Sequence, residues 1–121
     1  MLFLFSDVTS NDAPTRIRAG SHADVARVLG PFQDQGLSFI ELSHRLDHLP
    51  ARKEVLALGD AGTVYLCHPF IVHAAQDHTG LSPKFMAQPP LVTRRELQID
   101  KAAKFPVEIA IQHAIETRQP D

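Results

Sequence analysis

Residues 59–91 read GDAGTVYLCHPFIVHAAQDHTGLSPKFMAQPPL. Apolar and aromatic runs of strand length alternate here with Gly, Pro, Asp and Ser punctuation, which marks short strands joined by turns. Thr63–Cys67, Phe70–Ala75 and Lys84–Gln88 are the predicted strands. Three histidines, His68, His73 and His78, fall within this otherwise apolar pattern. Alternate residues of a strand share a face, so His68 points away from His73 unless the ladder is broken between them. Pro69 offers such a break, because it lacks a ladder donor. His78 sits in the polar turn QDHTG and reads as solvated.

Working outward, Leu2–Ser6 is a buried-strand pattern followed by the turn-rich SDVTSNDAPT. Thr15–Arg18 is a second short strand, closed by Ala19-Gly20. In SHADVARVLG, Ser21 and Asp24 have capping-box spacing and Gly30 supplies a stop. A second helix is predicted over Leu37–Leu49, ended by Pro50, and Glu54–Leu58 is a further strand. Phe105–Thr117 is a third helix, with Pro106 in its first turn and Val107, Ile111, Ala114 and Ile115 at helical spacing. Strands with three helices around them make an α+β or mainly β domain.

The 121 residues suit one domain over 1–121 with one core. The net charge of -2 offers no electrostatic footprint for nucleic acid or an anionic membrane. No apolar run approaches the roughly 18 residues that span a bilayer, and MLFLF lacks the basic flank and cleavage site of a secretion signal. The single cysteine, Cys67, excludes an internal disulfide and fits a reducing, cytoplasmic setting.

Several residues have a bland explanation. Cys67 lies in an apolar strand as a core thiol, Asp7 and Asp12 flank a turn, and Arg94 and Arg95 form a solvated charge cluster. His44 and His48 have the i, i+4 spacing of zinc ligands, but without the glutamate of H-E-x-x-H they read as a half-exposed helix face. His73 taken alone reads as a buried histidine hydrogen-bonded to a neighbour. The wider pattern adds a second reading: a Gly59-Asp60 turn precedes a strand, His73 ends the next segment, and Lys84 follows at the start of another.

This pattern resembles the phytanoyl-CoA dioxygenase family of Fe(II)/2-oxoglutarate oxygenases. Gly59-Asp60 is similar to the family's GD turn, His73 to its distal iron-binding histidine, and Lys84 to the basic residue that pairs with the far carboxylate of 2-oxoglutarate. SDVTSNDAPTRIRAGSH likewise resembles the family's DVTPENGPT-like turn and closing PGSH, so the likeness covers nearly the whole chain. It implies an incomplete double-stranded β-helix, or jelly roll, with flanking helices, and hydroxylation of a small organic substrate with Fe(II) and 2-oxoglutarate as cofactors. A 2-His-1-carboxylate triad leaves positions open for co-substrate and oxygen. Lysine in place of the usual arginine keeps the charge but loses the bidentate fork.

The family's proximal His-x-Asp motif precedes the stretch that here begins at Met1, which points to a truncated gene, a misassigned start or a fragment. His22-Ala23-Asp24 has the same letters, but falls on the family's GSH element; on one helix, residues two apart do not face each other. The isolated chain is thus expected to be inactive or nearly so. A binding or structural jelly-roll remnant is the alternative. Exposed sheet edges need cover, and a homodimer supplies it.

Overall fold

The computed structural model describes residues 1–99 and 103–117. Six strands form: β1 (Leu2–Leu4), β2 (Arg16–Arg18), β3 (Glu54–Leu56), β4 (Val64–Tyr65), β5 (His73–Ala74) and β6 (Met86–Ala87). They make two antiparallel three-stranded sheets, ordered β4-β1-β6 and β3-β2-β5. Each sheet is thus centred on one of the first two strands. Leu2 and Leu4 alternate onto the buried face of β1, while Phe3 pairs with Val64 and Ala87. Ile17 of β2 pairs with Val55 on one side and His73 on the other.

All six strands fall inside their predicted segments, but hydrogen-bonded pairing shrinks to two or three residues in each. Proline and glycine are the cause. Pro69-Phe70 makes a tight turn in which the Ile71 amide returns to the His68 carbonyl at 3.0 Å. Gly62 takes φ 93° in the β3–β4 connection, a conformation that disfavours any side chain. The helices hold more residues than the strands, so the chain is α+β rather than strand-dominated.

The three helices are α1 (Ser21–Leu29), α2 (Phe39–Leu46) and α3 (Pro106–Glu116). The capping box expected at Ser21 and Asp24 does not form. Gly20, at φ 85°, occupies the N-cap position, and Ser21 is the first helical residue. Its hydroxyl instead accepts the Val72 amide at 2.8 Å, tying the β4–β5 loop to α1. The box occurs at α2, where Ser38 and Glu41 bond reciprocally. That helix is shorter than predicted, starting at its Ser38 cap and ending before His48, and buries no residue.

α1 packs on α3 through Ala26, Ile111 and Ala114, with Phe70 and Val107 against the cluster. A short 3-10 segment, Gly30–Gln35, follows α1, and Gly30 faces Ile115 at a separation that suits a small residue. The β5–β6 connection is stitched to the turn before β2. Thr79 and Gly80 amides reach the Asn11 carbonyl, Gln76 Nε2 donates to the Pro14 carbonyl at 2.7 Å, and Lys84 Nζ donates to the Ala13 carbonyl.

Candidate functional site

A cleft of about 1090 Å³ opens where both sheets and the start of α3 converge. Leu2 of β1, Ile17 of β2, His73 of β5 and Val107 of α3 contribute to its wall, and the Gln88–Leu97 segment runs along its rim. The lining is mainly apolar, with a few polar groups set into it.

His73 is exposed rather than buried, because β5 is an edge strand of its sheet. Its Nδ1 lies 3.1 Å from the Ile71 carbonyl, and an oxygen there accepts only, so Nδ1 carries the proton. Nε2 is therefore the lone-pair nitrogen, and Gln88 Nε2 donates to it at 2.9 Å. A backbone carbonyl fixing one nitrogen while the other stays basic is how proteins prepare histidine for a metal.

The other members of the expected set lie elsewhere. Lys84 is half-buried outside the cleft lining, with its ammonium on the Ala13 carbonyl. Asp24 is buried and committed: Arg52 grips it with two bonds of 2.8 and 2.7 Å, and Arg27 adds a third at 3.1 Å. This hydrogen bonding, and the charge behind it, raises the Arg52 pKa. His22 turns away from Asp24 and lays its ring on His68, centroid to centroid 4.8 Å. Thus the His-x-Asp letters at 22–24 diverge, as their spacing on one helix requires. Among the described residues, no three His, Cys, Asp or Glu side chains converge in a way that could hold a metal.

His68 also lines the cleft, because the Pro69-Phe70 turn breaks the alternation that would point it away from His73. The Phe70 amide donates to His68 Nδ1 at 3.1 Å, so the neutral ring carries its proton on Nε2. That nitrogen is buried without a hydrogen-bond partner. Burial first, and the neighbouring His22 second, lower the His68 pKa below its ordinary value; the Val107 backbone partly opposes them.

Four minor readings meet their residues here. Cys67 is half-buried and lines the cleft instead of the core. His78 is exposed, 2.9 Å from the Ser82 carbonyl. His44 and His48 are both exposed, and α2 ends before the second. Asp7 and Asp12 serve turns, through the Ala61 amide and through Thr9.

Arg94 and Arg95 are both exposed, as a solvated cluster would be, but Arg95 is also engaged. It donates to Glu108 at 2.7 Å and lies over the Phe105 ring at 4.6 Å. Glu108 is 1 % exposed and also accepts amides of Gln98, Lys104 and Phe105. These bonds, led by that of Gln98 and opposed by burial, push its carboxyl down to about 2. Sequence reasoning missed this residue, although an acid two positions after Pro106 is itself the mark of a capped helix start. No helix among the described residues is long and apolar enough to cross a membrane. Comparisons with protein-family models, with curated proteins and with solved structures return no match.

Proposed function

We infer that this chain is a non-catalytic relative of the Fe(II)/2-oxoglutarate oxygenases, an incomplete double-stranded β-helix that retains the cleft and one histidine of the ancestral site. The observation carrying this reading is His73. It has its tautomer fixed by the Ile71 carbonyl and its basic Nε2 beside Gln88 at the cleft. Two small antiparallel sheets and the Gly59-Asp60 turn, bridged to Val8, agree with the same ancestry.

The residues present do not fit Fe(II) by themselves. A facial triad needs two histidines and a carboxylate, whereas among the described residues no second histidine or carboxylate joins His73, and Asp24 is held by two guanidiniums. Nor does Lys84 offer a free ammonium to 2-oxoglutarate in the cleft. The remaining capacity is binding: a roomy, largely apolar concavity with a few fixed polar groups suits a small organic molecule. We place this activity in the cytoplasm, with the exposed sheet edges covered in a homodimer.

Incubating the pure chain with Fe(II), ascorbate and 2-oxoglutarate should yield no succinate above the protein-free blank. Succinate formation that disappears in His73→Ala would restore the hydroxylase reading. Light scattering at micromolar concentration should give twice the chain mass, and a monodisperse monomer removes the dimer from the proposal.

A further inference from the structure

We propose that His22 and His68 form a proton-operated latch that holds the Leu66–Val72 loop against α1 and α3 and releases it in acid. The latch is separate from any role of His73, and its test does not depend on what the cleft binds.

Val72 ties the end of the loop to the fold, its N–H donating to Ser21 Oγ on α1 and its carbonyl accepting the Arg18 amide of β2. Within the loop, Phe70 N–H donates to the His68 ring two residues before it, the second bond of the latch. The second bond orients the Phe70 ring, which packs on Ala26, Ile111 and Ala114 where α1 meets α3. It exists only while His68 Nδ1 keeps its lone pair. A proton arriving there puts two N–H donors face to face at 3.1 Å. The bond then becomes a repulsion, and the amide loses its acceptor.

The surroundings give the charged ring little compensation: the Val107 backbone favours it, but burial and His22 outweigh that. From α1 the facing group is His22, whose charge acts to lower the His68 pKa. From α3 the only acid near the cleft is Glu108, already closed on Arg95 and three amides. From the rim, Arg94, Arg95 and Glu96 line the same cleft, and among the described residues no carboxylate lies within 4.0 Å of His68. The neutral ring also buries an Nε2–H without a partner, which leaves the closed state with little to spare.

The sign follows. The closed loop holds His68 below its ordinary pKa of 6.5, so opening takes up a proton. Closure is complete above that value and weakens as pH falls through it. The opened loop carries Leu66, Cys67, His68 and Ile71 with it, all cleft-lining, so acid should widen the cleft mouth.

Amide hydrogen exchange of Phe70 tests this, read by NMR on the full chain and corrected for intrinsic rates. Exchange should be up to about tenfold faster relative to intrinsic at pH 5.5 than at 7.5, the limit for one pH unit below the ordinary value. In His68→Asn, whose Oδ1 can still accept the amide but takes no proton, the ratio should be flat. His22→Gln removes the neighbouring cation, so the midpoint should move to higher pH; this variant decides the matter if His68→Asn does not fold. Equal protection at both pH values in the unmodified chain overturns the latch. So does an acid loss that persists unchanged in His68→Asn, or a midpoint indifferent to His22→Gln.

Discussion

On the α1–α3 side, Ala26, Ile111 and Ala114 are shut away from water, and two carboxylates are buried beside them with every oxygen bonded. On the sheet side, Val64, Leu66, Phe85 and Leu91 stand more than half exposed. Neither side covers all of its apolar residues: Ile109 of α3 is half exposed, while Leu2 and Leu4 of β1 are buried. The difference teaches that hydrophobic content does not decide which side is finished. What closes the helical side is polar: Arg52 reaches back to Asp24, and Glu108 gathers the rim segment onto α3. The sheet side is tied by bonds from Gln76 and Lys84 to backbone carbonyls and by the half-exposed pairs of Arg16 and Arg18 with Glu54. Its edge strands of two or three residues are too short to cover one another.

The largest effect should come from breaking the helical side's clamp. Asp24→Ala leaves two guanidiniums facing each other across a buried vacancy and should cost roughly 3 kcal/mol, the low end for a broken buried pair because both arginines keep some exposure. Urea unfolding measures it, and a cost under 1 kcal/mol would mean that the arginines find other partners. Ile111→Ala, a deletion in the closed core, should cost about 3 kcal/mol with little gain from relaxation.

Acid should act on the same side. Glu108 titrates at about 2 in the folded chain against 4.5 for an ordinary glutamate. Its contribution is complete above 4.5 and is lost as pH falls from there toward 2. Glu108→Gln should lower the melting temperature at pH 7 and flatten its decline below pH 4.5; an unchanged decline would assign the acid sensitivity elsewhere. The smallest effect belongs to the sheet side. Leu66 is 83 % exposed, so Leu66→Ala should change stability by no more than about 0.5 kcal/mol in a monomer. A cost comparable with that of Ile111→Ala, growing with protein concentration, would show that this side is buried by a second copy.

The sequence predicted the elements well and the clamps poorly. Glycine and proline act on their immediate neighbours, so the strand segments around Gly59, Pro69 and Pro83 and the helix behind Pro106 were legible. Ser21 was misread because hydroxyl capping and long-range acceptance call for the same residue type, and the Val72 amide that claims it is 51 positions away. Asp24 was explained locally although its partner, Arg52, is 28 residues on. For His73, only the fold supplies the Ile71 carbonyl and Gln88 that define its tautomer. Lys84 could not be assigned from spacing, since the Ala13 carbonyl that takes its ammonium is 71 residues earlier.

That last bond belongs to the stitch between the β5–β6 connection and the turn before β2. Gln76 and Lys84 reach back across 62 and 71 residues, so neither bond can form until most of the chain has been gathered. Closing so long a loop costs entropy before any contact rewards it, and such pairings set slow folding rates. β6 should therefore be the last strand to arrive. On a ribosome it waits until Lys84 has left the exit tunnel, and until then the Asn11–Pro14 carbonyls are exposed acceptors for whatever donor diffuses past.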